Sequence, residues 1–434
     1  MGRRLSRRSL LAGAGAVCAG SALAGAGACG AKSGSSGPKT IGMAWWGSTE
    51  RHRRTQEAIA AFGRRHPEIK VNPEFSGWAG YWDKLATQTA GGNPPDVIQM
   101  DYSYIVEYAR RGSLRALDDL VPQVLHVSDF ATDVLAGGKI DNKLYGVNAG
   151  LNSWALMMNV TLLKTAGVDP PDASMTWTDF AALTRRIAQR APAGVFASEY
   201  GVYDSNAFEC WLRQRGRSWF TADGALGFAP ADLAEWIAFW EDLRKAKAAA
   251  TADLQASAAG DVQNTLLVRR KVMFDFASSN QLTAYASLLK DEIALHMYPL
   301  GPAGSKPGQY LKPSMLMSVS AKSRYPREAA TLIDALLTDP EITSILGSER
   351  GIPPSAGVRS ALKGKADPVE QKTYEYIDFV GPRVGPLPPP APLGGNEVTG
   401  KHLTFAGQQV GFGKASIDQA VSRFFEDAER ALKK

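Results

Sequence analysis

Cysteine and histidine are scarce in this chain, at three and five in 434 residues. Three cysteines exclude a disulfide-dense miniprotein, and five scattered histidines make no metal-ligand spacing. The sequence also lacks Walker A, His-Glu-x-x-His and Gly-x-Ser-x-Gly patterns, which removes the commonest nucleotide, metalloprotease and serine-hydrolase signatures. A single Gly-x-Gly-x-x-Gly match, Gly25 to Gly30, follows no strand and straddles an expected cleavage site, so it is a chance match. No fixed-period repeat is visible. Charge is modest at 21% against 44% hydrophobic residues, which excludes a disordered or collagen-like chain. The formal net charge of +6 invites a nucleic-acid reading until its location is traced. Arg3, Arg4, Arg7 and Arg8 open the chain and no acid lies in residues 1 to 28, so the remainder carries 45 basic against 43 acidic residues. The surplus belongs to a targeting signal, and no nucleic-acid partner is expected.

The four arginines precede an apolar run, Leu10 to Ala28, of Leu, Ala, Gly and Val, ending in the small residues Ala26, Gly27 and Ala28. This is the layout of a secretory signal peptide over residues 1 to 28. Ser6-Arg7-Arg8-Ser9-Leu10-Leu11 also fits the twin-arginine export pattern. A membrane span is the competing reading, but the run is Gly/Ala-rich and leads into a Gly-Ser segment without a stop-transfer cluster. Cys29 follows and resembles the cysteine of a bacterial lipobox, with Ala26 where Leu is usual. Residues 29 to 39 would then be a lipidated cysteine and flexible tether. Cys18 would be discarded, which leaves Cys210 as the lone thiol of the body.

From Lys39 onward, short apolar runs alternate with amphipathic stretches, the pattern of an α/β protein with mostly parallel sheet. Strands are expected at Ile41 to Trp46, Ile69 to Phe75 and Asp96 to Met100, with helices at Thr55 to Arg65 and Tyr81 to Ala90. Thr176-Trp177-Thr178-Asp179 reads as the capped start of another helix. Gly381 to Gly395, with six prolines, reads as an extended surface loop. About 400 mature residues exceed the ~250 to 300 at which a single core stops growing, so two lobes are expected.

Several segments, in order, resemble the sugar-binding class of extracellular solute-binding proteins (family 1) that feed ATP-binding-cassette importers. They include Ala44-Trp45-Trp46-Gly47, Tyr81-Trp82-Asp83-Lys84-Leu85, Gly92-Asn93-Pro94-Pro95-Asp96-Val97 and Gly112-Ser113-Leu114 through Leu120. Lys143-Leu144-Tyr145-Gly146-Val147, Thr176-Trp177-Thr178-Asp179-Phe180, Lys271-Val272-Met273 and Arg350-Gly351-Ile352-Pro353 continue the series. The resemblance spans nearly all of Ile41 to Leu432. It implies a two-lobed, type II periplasmic-binding-protein-like fold, with lobes joined by hinge strands and the ligand between them. Crossings fall near Asn148 to Ser153, Met297 to Leu300 and Gly351 to Ser355. Lobe one is then 40–148 plus 301–350, and lobe two 152–296 plus 356–434.

A sugar presents C–H faces that stack on aromatic rings and hydroxyls that donate and accept hydrogen bonds, so its site needs aromatic platforms beside carboxylates, amides and cations. Trp45 and Trp46 end the first strand, where open α/β sheets bind ligands, and strand alternation sends one of them to each sheet face. Glu50 and Arg51 follow them and could bind hydroxyls or simply be solvated. Asp101 and Tyr102 follow the third strand, with helix capping as the alternative role for Asp101. Trp78 lies after the second strand, and Asn152 and Trp154 fall at the first crossing. In the second half the candidates are Asp204, Asn206, Trp211, Ser278, Ser279, Tyr310 and Arg350. The family often places an aromatic after the segment Ala277-Ser278-Ser279-Asn280, and here none follows. Trp82, Trp177, Trp219, Trp236 and Trp240 read as packing residues.

The expected function is capture of a sugar, a di- or oligosaccharide, by hinge closure and delivery to permease subunits of an ABC transporter. The chain would be an exported monomer, anchored by lipid to the outer face of the cytoplasmic membrane. Neither a catalytic residue, a metal nor a cofactor is expected. Two other readings stay open at this point: a secreted carbohydrate-active enzyme, and a nutrient sensor presenting its liganded form to a membrane receptor.

Overall fold

The computed structural model describes residues 37–258 and 261–433; the expected signal peptide and Cys29 lie outside the described residues. Among the described residues, eleven strands form two principal sheets and one short hairpin. They are β1 (Lys39–Trp46), β2 (Ile69–Ser76), β3 (Val97–Met100), β4 (Lys139–Ile140), β5 (Lys143–Leu144), β6 (Val147–Asn152), β7 (Trp154–Asn159), β8 (Phe196–Ser198), β9 (Val272–Ser278), β10 (Ile293–His296) and β11 (Lys312–Val319). The first sheet runs β2-β1-β3-β11-β6 and the second β10-β7-β9-β8. This is the two-lobed α/β fold, one sheet to each lobe.

The sheets are mixed, which corrects the expectation of mostly parallel strands. β1 pairs in parallel with β2 and β3, and β8 with β9, while β11 runs antiparallel to β3 and β6, and β7 antiparallel to β9 and β10. Parallel neighbours need a long crossover, supplied by α1 (Thr49–Arg65) between β1 and β2 and by α2 (Trp78–Ala90) between β2 and β3. β6 passes straight into β7 through the single residue Ser153, so the same run of chain serves both sheets.

Alternation along β1 sorts the first lobe's core. Ile41, Met43 and Trp45 face one side with Ala58, Ala61 and Phe62 of α1, and Ala44 and Trp46 face the other with Tyr81 and Leu85 of α2. α1 starts at a Ser48 cap whose side chain accepts from the Arg51 N–H, and its end at His66-Pro67 is the one the sequence suggests. The second lobe buries a larger aromatic core, in which Trp177, Trp236 and Trp240 pack among Phe180, Phe208 and Phe276. Its helix Trp177–Ala188 opens with a reciprocal box between Thr176 and Asp179, worth about 1 kcal/mol in comparable helices. Helix Ile417–Leu432 closes over the same core through Ala420, Val421, Phe424 and Ala428.

The backbone crossings are clamped. Ser153 Oγ donates to the Tyr310 carbonyl at 2.9 Å, and Leu151 and Ile352 exchange backbone hydrogen bonds. Gly351 has φ +102°, and a Cβ there would stand 2.6 Å from the Leu151 carbonyl oxygen, so both conformation and space call for glycine. No helix among the described residues is long and apolar enough to cross a membrane.

Candidate functional site

A cleft runs between the two sheets in two connected compartments of about 450 Å³ each. Trp154, Asn206, Lys312 and Asn396 line both compartments and so mark where they join.

The first compartment is walled on one side by aromatic rings. Trp46 ends β1 and meets Trp78, the first residue of α2, edge to face with centroids 5.1 Å apart. Behind them Trp82 stacks on Tyr104 at 3.7 Å and 13°, which makes Trp82 a support for the wall, as its packing role implies. Polar groups face this wall from several segments. Asp101 Oδ1 accepts from the Ser103 N–H at 2.8 Å, while Oδ2 makes no hydrogen bond among the described residues. Asp101 thus holds its own turn and also lines the cleft. Asn152 donates to Asn280 at 2.7 Å, and Ser278 and Asn206 reach the same space.

Arg51 and Glu349 form a buried ion pair at the cleft wall, with Arg51 also donating to the carbonyls of Trp46 and Glu349. Beneath it His52 Nδ1 accepts from the Trp45 indole at 3.1 Å. Burial, with Arg51 and Arg350 nearby, holds the His52 pKa down to about 4, so the ring is neutral and suited to accepting. The cleft's central cation is Lys312, 7% exposed, with its ammonium 4.4 Å above the Trp154 ring and no ion pair among the described residues. A desolvated ammonium over an indole face is a favourable arrangement.

The second compartment is closed by the proline run. Tyr102 Oη donates to the Pro388 carbonyl at 2.9 Å, and Asn396 to the Ser103 carbonyl at 2.7 Å. Tyr310 Oη donates to Glu209 at 2.5 Å, and its ring carries the Arg213 guanidinium at 5.0 Å. Burial pushes the Glu209 carboxyl above its usual range, which the Tyr310 hydroxyl partly offsets. Of the expected loop Gly381 to Gly395, Gly381–Arg383 instead forms a short 3-10 helix, while residues 386 to 392 do form a loop, one that makes a cleft wall because the carbonyls they leave unpaired are taken by Tyr102 and Arg213.

The cleft therefore gathers Trp46, Trp78, Asp101, Tyr102, Asn152, Trp154, Asn206, Ser278 and Tyr310 from the sequence-derived candidates. The other six lie elsewhere. Trp45 is fully buried with α1 on the opposite sheet face. Glu50 is spent on Arg53 and Arg54 along its own helix. Asp204 caps helix Ser205–Gln214 by accepting from the Asn206 and Ala207 N–H groups. Trp211 packs in the lobe core beneath the Arg215 guanidinium. Ser279 Oγ accepts from the Ser153 N–H and is fully buried. Arg350 donates to Gln99 and Thr55 inside the first lobe.

Sequence reasoning missed Tyr104, Asp261, Lys312, Glu349 and Asn396, all of which line the cleft, whereas Arg51, which it singled out beside Glu50, does line it. Trp219 was assigned to packing, and it does both, buried in the core yet bordering the second compartment. Among the described residues no group of His, Cys, Asp or Glu could hold a metal ion.

The fold and sequence have relatives. A solved extracellular solute-binding protein (family 1) from Alicyclobacillus acidocaldarius is 28% identical, with TM-score 0.65, covering 92% of this chain and all of that one. A periplasmic oligogalacturonide binding protein from Yersinia enterocolitica, solved in complex with saturated digalacturonic acid, superposes with TM-score 0.81 at 21% identity, over 91% of this chain and 98% of that one. An arabinooligosaccharide-binding protein of Bacillus subtilis is 25% identical over 199 residues, 45% of each chain. The family profile described as bacterial extracellular solute-binding protein matches residues 45–342, and with the cleft between two lobes this makes the chain a member of that family.

Proposed function

We propose that this protein captures a di- or oligosaccharide by closing its lobes around it and passes it to the permease subunits of an ABC transporter. The observation that carries the reading is the composition of the cleft: indole and phenol faces from Trp46, Trp78 and Tyr104, with the Asp101 carboxylate on their own side, stand opposite amides and hydroxyls from the other lobe, among them Asn152, Asn206, Asn280 and Ser278. Two joined compartments favour more than one sugar ring. The names of the Yersinia and Bacillus relatives support the same ligand class.

In this reading lobe one comprises residues 40–148 plus 301–350 and lobe two residues 152–296 plus 356–434, with hinges near 148–153, 297–300 and 351–355. A ligand that touches both lobes favours the closed form by its differential affinity for it. The protein acts as a monomeric binder without catalytic turnover, held to the outer face of the membrane by lipid on Cys29. More than one acyl chain is needed for lasting attachment.

A thermal-shift screen against mono-, di- and oligosaccharides tests this, since a ligand of the folded form raises its melting temperature. Neutral sugars and uronic-acid-bearing oligomers both belong in it, because Lys312 places a cation at the junction of the compartments. A selective rise with oligosaccharides is expected. A flat response, or sugar hydrolysis by the purified protein, would sink the proposal.

A further inference from the structure

Helix α2, 13 residues long, starts without a cap of its own. Its N-cap residue is Gly77, at φ −69° and ψ 170°, with no side chain to accept from the first turn. The carboxylate that fills this place comes from across the cleft: Asp261 Oδ1 accepts from the Trp78 backbone N–H at 2.8 Å. Asp261 precedes β9 of the four-stranded sheet, and its neighbour Val262 packs with Leu266, Leu267 and Val272. α2 lies between β2 and β3 of the five-stranded sheet.

A helix start offers unpaired N–H groups and the positive end of the helix dipole, and both favour a carboxylate. Ordinarily the residue just before the helix provides it. Here Gly77 has a backbone conformation that any residue adopts, so conformational freedom does not explain the glycine. Space does: a Cβ at Gly77 would lie 2.1 Å from both Asp261 carboxylate oxygens. Gly80, one turn on, has open space around it, so the restriction is confined to the capping point. Other contacts also cross the cleft, including Asn280 Nδ2 to the Glu349 carbonyl at 3.5 Å.

We infer that Asp261 and the Gly77-Trp78 start of α2 form a latch between the lobes. The cap is complete only when the lobes are closed, so it holds part of the population closed before ligand arrives and fixes Trp78 in the cleft wall. The inference rests on hinge closure, but its test needs no ligand.

Small-angle X-ray scattering of the unliganded full chain compares wild type with Gly77→Ala, Asp261→Ala and Asp261→Lys, and with Gly80→Ala as a control on the same helix. Loss of such a cap lowers the closed-to-open ratio roughly five- to tenfold. The first three variants are expected to shift toward an extended form, and Gly80→Ala to superimpose on wild type, with cooperative melting confirming that each folds. Should Gly77→Ala fail to fold, Asp261→Lys decides alone, since it sets a positive charge against the helix dipole. Superimposable profiles for all five chains overturn the latch, whether the shared form is compact or extended. Shifted profiles alongside a flat sugar screen would defeat the ligand reading and leave the latch standing.

Discussion

The indoles of Trp46 and Trp78 meet at 80° with their centroids 5.1 Å apart, yet they differ in exposure, at 7% and 38%. That difference separates their roles. Trp78→Ala is expected to weaken sugar binding about tenfold while leaving the ligand-free melting temperature nearly unchanged. Trp46→Ala removes a ring that also packs on Tyr81 and Trp82, so it should cost about 3 kcal/mol of stability as well. Calorimetric titration with the sugar found by screening, beside melting curves, checks the split. Equal stability losses in both variants would make the exposed ring a packing residue too.

Trp211 provides the opposite case. It is 2% exposed, packs on Phe208 and Trp236, and lies under the Arg215 guanidinium. Trp211→Ala should destabilise by about 3 to 5 kcal/mol and leave affinity unchanged in whatever protein remains folded. Denaturant unfolding gives the first number, and binding at low temperature tests the second.

Under the cleft floor, burial raises Glu199 well above the carboxylate range, Asp204 to about 7 and Asp275 to about 6. Glu199 accepts from the Phe276 N–H, and Asp275 from the Tyr285 hydroxyl. Between about pH 4 and 7 the folded chain therefore retains protons that the unfolded chain has released. Stability contributed by these groups is greatest at the acid end of that window and is lost as pH rises through it. Glu50 does not oppose this trend, since hydrogen bonding to Arg53 holds it down at about 2, whereas His52, held down to about 4, does oppose it below about pH 6.5, as one group against three. Melting temperature should fall from pH 5 to pH 7.5, and Glu199→Gln should flatten the slope. A slope identical in wild type and variant would exclude the buried acids as its source.

Cys210 is fully buried, and burial raises its thiol well above the usual range. Thiol reagents are expected to label it only as fast as the lobe opens, so labelling should track denaturant-induced unfolding. Rapid labelling of the native protein at pH 8 would contradict the packing of helix Ser205–Gln214.

Much of the fold was legible because its signals are local. Strand alternation announced that Trp45 and Trp46 point to opposite faces, and Thr176 with Asp179 announced a helix start. Which face of β1 borders the cleft was not legible, because that depends on where α1 and α2 pack. The Phe208 to Trp211 spacing places both rings on one helix face, so the core role of Trp211 was available in the sequence and was outweighed by its nearness to Asn206. Lys312, Glu349 and Asp261 are different. Each reaches the cleft from a segment distant in sequence from the residues it faces, and no periodicity encodes that meeting. The directions of β7 and β11 were hidden for the same reason, since pairing across a long sequence interval carries no local mark.

The proline run that closes the second compartment has a thermodynamic consequence. Five of the seven residues from 386 to 392 are proline, each with its φ angle fixed by the ring. A wall of glycine and serine would be ordered anew by every ligand that arrived, with the entropy cost subtracted from each binding event. Here that ordering is completed once, when the chain folds, and the affinity the cleft can reach is spared the charge.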